Sequence, residues 1–191
     1  MPAQAGDLRL SPDRRGSWAR EDGSLLIYPR LPRPGGEQVF PLEGDRLPLV
    51  HGGVDGDATT YEVRDPHGGP VRSFTGNPYR SSTAYWLSAV EDRNGNRVDF
   101  ARRADGAPTA VTHSGGYAVQ ITATETRVTD LAVRGPGGPT TVVGYGYDQA
   151  GRLTTLTGPE GTGGPAMHFT YDEDGRVTSW TDRNAFTFRY V

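Results

Sequence analysis

Tyr147-Asp148-Gln149-Ala150-Gly151-Arg152-Leu153-Thr154 returns 24 residues later as Tyr171-Asp172-Glu173-Asp174-Gly175-Arg176-Val177-Thr178. Each position of this octapeptide has a physical job. Asp148 and Asp172 suit the first position of a type I turn, where a carboxylate accepts backbone N–H bonds. Gly151 and Gly175 stand at the fourth, where the chain leaves the turn at positive φ. Tyr147 and Tyr171 end the incoming strand with an amphipathic ring, expected to bury its face and keep its hydroxyl in water. Arg152 and Arg176 open the returning strand within reach of the aspartate, and Thr154 and Thr178 favour extended backbone. The unit is a β-hairpin. Alone it cannot bury its apolar face, so it depends on stacking against neighbours.

Weaker echoes extend the pattern. A shift of 69 residues places Phe100 on Phe169, Asp105-Gly106 on Asp174-Gly175, Thr109 on Thr178 and Tyr117 on Phe186. A shift of 90 places Asp92-Arg93-Asn94, followed by Gly95, on Asp182-Arg183-Asn184. Between these turns the chain alternates with period two: Tyr117, Val119, Ile121 and Ala123 share one face, as do Phe186, Phe188 and Tyr190. About ten such strands are expected between Tyr85 and Val191, with no helical period among them. The aromatic stripe formed by Tyr145, Tyr147, Phe169, Tyr171, Phe186, Phe188 and Tyr190 is expected to be a buried sheet face. Residues 1–84 have a different texture, irregular and Pro/Gly-rich. Their strand candidates are Ser24–Tyr28, Glu37–Phe40, Thr60–Val63 and Val71–Phe74. The expectation is an all-β chain, with an irregular region over 1–84 and, over 85–191, consecutive antiparallel hairpins in a curved, open sheet.

Composition agrees. Twenty-seven glycines and 15 prolines in 191 residues are about double average usage, which argues against long helices. Mean hydropathy is -0.60. The absence of cysteine excludes disulfides, thiol catalysis and cysteine-bound zinc. All 20 basic residues are arginine, which excludes a lysine-bearing phosphate loop and Schiff-base chemistry. A net charge of -3 with interspersed signs leaves no footprint for nucleic acid. No apolar run approaches the ~20 residues of a membrane span, and Met1 to Leu10 lacks the apolar core of a secretory leader. The chain is therefore expected to be cytoplasmic as synthesised, without membrane insertion.

The octapeptide resembles the YD repeat of the Rhs family, known from bacterial polymorphic toxins, insecticidal toxin complexes and animal teneurins. Tyr61-Glu62-Val63-Arg64-Asp65-Pro66-His67-Gly68 and Tyr85-Trp86-Leu87-Ser88-Ala89-Val90-Glu91-Asp92-Arg93-Asn94-Gly95-Asn96-Arg97 extend the likeness, which covers roughly residues 60–191. The resemblance implies a structural, non-enzymatic segment of a hollow β-shell that encloses a C-terminal toxin. Its partners would be further shell repeats, or a toxin domain on the same or a neighbouring chain, with export by a specialised secretion system. This chain departs from the family in length and in lacking a visible toxin or cleavage segment at its end. Ten strands about 4.8 Å apart would close a ring only ~15–20 Å across, too narrow for a folded cargo. The chain also ends at Tyr190-Val191, where comparison with Phe169-Thr170-Tyr171-Asp172 places the next turn. It is expected to be a truncated or split piece from the N-terminal side of a repeat array.

Other chemistry is weakly supported. His51, His67, His113 and His168 lack metal-ligand spacing. Asp65-Pro66-His67-Gly68 and His113-Ser114-Gly115-Gly116 read as turns rather than a cleavage motif and a nucleophile. Asp55-Gly56-Asp57 and Asp172-Glu173-Asp174-Gly175 each supply only the first half of a calcium loop. The glycine clusters of 135–139 and 158–165 precede no helix that could cradle phosphate. No catalytic, cofactor or metal residue is assigned. The alternative to a shell segment is a free-standing β-repeat module that binds carbohydrate or a protein through surface aromatics. A hydrolase built on Asp and His has no supporting spacing.

Overall fold

The computed structural model describes residues 7–10, 15–55, 58–76, 84–124, 127–135, 137–159 and 165–190. Among them lie 17 strands and no helix, and every strand pairing within each of the two units below is antiparallel. The chain divides into two compact units, one of residues 1–106 with 113–115, the other of 107–112 with 116–191.

The first unit contains β1 (Leu8–Leu10), β2 (Gly16–Ala19), β3 (Leu25–Tyr28), β4 (Gln38–Val39), β5 (Leu49–Asp55), β6 (Ala58–Val63), β7 (Val71–Gly76), β8 (Ala84–Glu91) and β9 (Arg97–Arg102). β4 to β8 pair in chain order. β7 occupies one edge of β8 along its length. The other edge is shared: Ala84 and Tyr85 pair with β1, and Ala89 to Glu91 pair with β9. β1 then carries β2, and β2 carries β3. Hydrogen bonds also tie the far ends of this order. The Leu42 N–H donates to the Ile27 carbonyl (2.8 Å) and the Tyr28 hydroxyl to the Leu47 carbonyl (3.0 Å).

Alternation puts one face of these strands inside. In β3, Leu26 and Tyr28 are buried while Leu25 and Ile27 face out. The core joins Leu8, Trp18, Leu26, Tyr28, Val39, Leu49, Tyr61, Val63, Phe74 and Tyr85. Its rings meet edge to face, Trp18 on Phe74 at 5.7 Å and Tyr61 on Tyr85 at 4.9 Å, the arrangement favoured by ring quadrupoles. Burial pushes the Tyr61 hydroxyl up to about 12. The four expected strands of this region are present as β3, β4, β6 and β7. β1, β2 and β5 were not anticipated. β1 has only three residues, and the ladder of β5 shifts register between His51 and Gly53, which breaks the period-two signal.

The second unit is a meander in which each strand pairs with the next: β10 (Pro108–His113), β11 (Ala118–Ala123), β12 (Val128–Gly135), β13 (Gly138–Tyr147), β14 (Leu153–Thr157), β15 (Met167–Tyr171), β16 (Val177–Thr181) and β17 (Thr187–Arg189). It corrects the expectation of a buried aromatic stripe. Tyr145, Tyr147, Phe169 and Tyr171 are only half-buried, and Phe186, Phe188 and Tyr190 are exposed. Each described strand pairs with the next, so an apolar side chain is shielded by cross-strand neighbours on its own face. Trp180 and Phe188, cross-strand partners, stack at 4.8 Å in this way.

Candidate functional site

The repeated turns behave as one device. At Asp148 the aspartate N–H donates to the Arg152 carbonyl (3.0 Å) and the Gly151 N–H donates to the Asp148 carbonyl (2.9 Å). The Asp148 carboxylate accepts the Arg152 N–H at 2.8 Å. Asp172 repeats the set with Arg176 and Gly175. Asp92 does so with Asn96 and Gly95, and Asp182 with Phe186 and Ala185; both also accept the N–H two residues on, from Asn94 and Asn184. The fourth position is left-handed throughout: Gly151 at 79°, Gly175 at 81°, Gly95 at 82°, and Ala185 at 66° without a glycine's freedom. Arg93 fills the exposed second position of its turn. At Asp148 and Asp92 these bonds favour the carboxylate form. Asp148 is held below the usual range, first by the Arg152 N–H and then by its guanidinium, and Asp92 chiefly by the Asn96 side-chain amide.

Other residues can take the aspartate's place. In His113-Ser114-Gly115-Gly116 the imidazole Nδ1 accepts the Gly115 N–H (2.9 Å), and the Ser114 hydroxyl accepts the Arg97 N–H (3.0 Å). Asp65-Pro66-His67-Gly68 is likewise a turn, with the Gly68 N–H on the Asp65 carbonyl and the His67 N–H on its carboxylate. In Asp172-Glu173-Asp174-Gly175 both aspartates face Arg176. Among the described residues no three His, Asp or Glu side chains gather to hold a metal. Residues 56–57 of Asp55-Gly56-Asp57, and 136 and 160–164 of the glycine clusters 135–139 and 158–165, lie outside the described residues.

The tyrosine and arginine do more than their own hairpin requires. The Tyr147 hydroxyl donates to the Val128 carbonyl at 2.7 Å, and the Tyr171 hydroxyl to the Leu153 carbonyl at 2.7 Å. The hydroxyls expected in water therefore bond to the preceding hairpin, because each tyrosine ends a strand paired with that hairpin's returning strand. Arginine closes the contact from the other side. Arg127 lies over the Tyr147 ring at 5.5 Å and donates to the Gly151 carbonyl (2.8 Å). Arg152 lies over the Tyr171 ring at 5.0 Å and donates to the Asp172 carbonyl (2.9 Å). Each arginine thus grips the turn that follows it. Arg152 also makes the expected pair with Asp148 (2.7 Å), whereas Arg176 is 3.8 Å from Asp172 and 2.7 Å from Asp174.

Arg127 belongs to no Tyr-Asp octapeptide. Its signal lies in the other half of the motif: Arg127-Val128-Thr129, Arg152-Leu153-Thr154 and Arg176-Val177-Thr178 are three copies of one tripeptide. The ladders confirm their equivalence. Ala123 pairs with Val128 but Thr122 with Asp130; Tyr147 pairs with Leu153 but Gly146 with Thr155; Tyr171 pairs with Val177 but Thr170 with Ser179. Thr129, Thr154 and Thr178 are each the extra residue of a β-bulge, which sharpens the twist as the strand leaves its turn.

The stretch from within β12 through β13, the Asp148 turn and β14 falls inside residues 131–162, which match the family model described as RHS Repeat. This stretch of the chain is an Rhs-type repeat. Comparison with curated proteins gave no match. Rhs-type repeats are structural, and the geometry fits that role: in these turns carboxylates, hydroxyls and guanidinium groups are directed at backbone atoms. No helix among the described residues is long and apolar enough to cross a membrane.

Proposed function

We propose that this chain, with its Rhs-type repeat, is a wall segment of a toxin-delivering shell, a scaffold that encapsulates rather than catalyses. The observation that carries the reading is the tyrosine–arginine clamp. It joins one hairpin to the next, occurs at consecutive hairpins, and spends the polar side chains of the motif on assembly. A wall built this way grows by adding hairpins, and its other members would be further repeats or an enclosed toxin domain on the same or a neighbouring chain. Synthesis in the cytoplasm followed by specialised secretion fits such a role. The test uses an antibody against the 171–182 segment in the source cells. The reading expects the epitope in an assembly that shields a cargo polypeptide from added protease until the assembly is unfolded. An epitope found only on a free 20.6 kDa chain that shields nothing contradicts it.

One observation favours a second reading. Tyr117, Phe186, Phe188 and Tyr190 are exposed, as the aromatics of a carbohydrate- or protein-binding module are. Binding on a glycan array that disappears in a folded Phe188→Ala variant supports this reading; no binding removes it.

A further inference from the structure

We infer that Arg176 and the Val177 carbonyl form a third clamp, open to a tyrosine that ends the incoming strand of a further Tyr-Asp hairpin. The inference rests on the assembly reading above and adds the side chain that each joint recognises.

Two filled clamps define the receptor: an arginine just after a turn, the carbonyl of the next residue, and a bulged threonine. Arg127-Val128-Thr129 holds Tyr147, and Arg152-Leu153-Thr154 holds Tyr171. Arg176-Val177-Thr178 repeats the first of these in sequence and the bulge in structure. Its arginine behaves differently. Where the clamp is filled, the guanidinium crosses to the next turn and bonds to Gly151 or Asp172. Arg176 instead folds back on Asp174 of its own turn, with 75% of its side chain exposed.

Register identifies the occupant's place. Asp130 pairs with Gly144 and Thr155 with His168, so each held tyrosine lies one residue beyond the position opposite Val128 or Leu153. Ser179 pairs with Arg189, which puts the corresponding place one residue beyond position 191. Tyr190 falls two residues short of it; its N–H donates to the Thr178 carbonyl and its ring is exposed. The chemistry selects tyrosine. The ring face attracts the guanidinium while the hydroxyl donates to the carbonyl, whereas phenylalanine lacks the donor.

The test appends to the full chain, after Val191, a copy of segment 171–181 beginning Tyr-Asp. Trypsin cleavage of the Arg176–Val177 bond is followed by mass spectrometry, beside a second extended chain whose appended tyrosine is alanine. The clamp expects cleavage about tenfold slower with the appended tyrosine, and close to the unextended rate with alanine. Equal rates for the two extended chains overturn it. Tyr171→Ala in the unextended chain supplies the reference: it should expose the Arg152–Leu153 bond about tenfold. If that bond responds while the appended tyrosine protects nothing, the third clamp falls and the assembly reading stands. If the Arg152–Leu153 bond does not respond, both fall.

Discussion

The pair of Arg152 and Tyr171 makes the clamp measurable by a double-mutant cycle. Tyr171 has two separable attachments, a hydroxyl bond to the Leu153 carbonyl at 2.7 Å and a ring face 5.0 Å from the Arg152 guanidinium. Tyr171→Phe removes only the first and should cost about 1 kcal/mol, the net worth of a hydrogen bond in a half-buried setting. Tyr171→Leu removes both and should cost about 2 kcal/mol, the difference being the ring–cation contact and the aromatic area. Arg152→Gln removes the cation, and its lost pair with Asp148 is common to both arms and cancels. The coupling of Arg152→Gln to Tyr171→Leu should therefore be about 0.5–1 kcal/mol, and its coupling to Tyr171→Phe close to zero, because the ring remains. Urea-dependent amide exchange in β14 and β15 reads each stability locally, so the two units need not unfold together. A ring coupling within about 0.3 kcal/mol of zero, or one equally large for Phe and Leu, refutes the ring–cation contact.

The other predictions address the turns and the core. Ala185 sits at φ 66° where the equivalent turns have glycine, so Ala185→Gly should raise the melting temperature, by about 0.5–1 kcal/mol of stability. The reverse exchange, Gly175→Val, should lower stability by about 1 kcal/mol or more, since valine resists positive φ; unchanged melts for both would mean the turn geometry is wrong. Leu49 is fully buried in the first unit, and Leu49→Ala should cost about 3 kcal/mol in urea unfolding; a loss below about 1 kcal/mol would place it outside a packed core. Asp148 is ionised more easily folded than unfolded, so its stabilisation is complete above the ordinary carboxylate range and is lost as pH falls through its depressed folded value. The urea midpoint should fall between pH 5 and pH 2, less steeply in Asp148→Asn, and identical slopes would remove this role.

The turns were legible because their cause is local. Asp at the first position and glycine at the fourth are dictated by five residues of backbone, and Asp148, Asp172, Asp92 and Asp182 behave alike. The inter-hairpin contacts were not legible from the octapeptide. Tyr147 and Val128 are 19 residues apart, and only the pairing of β12 with β13 brings them together. Arg127 carried a readable signal, the tripeptide it shares with Arg152 and Arg176, but reading the repeat from its Tyr-Asp end hid it. The aromatic stripe misled for a third reason. Alternation shows that Phe186, Phe188 and Tyr190 share a face, whereas burial depends on a covering layer that strand periodicity cannot register.

Amide hydrogen exchange of the full chain, with and without Tyr147→Ala, tests most directly whether each hairpin is held by the one before it. The account predicts faster exchange not only around the Asp148 turn but across β11 and β12, because the Val128 carbonyl of β12 and the side chain of Arg127, just before it, lose their partner. Faster exchange confined to residues 147–153, with β11 and β12 unchanged, would contradict it.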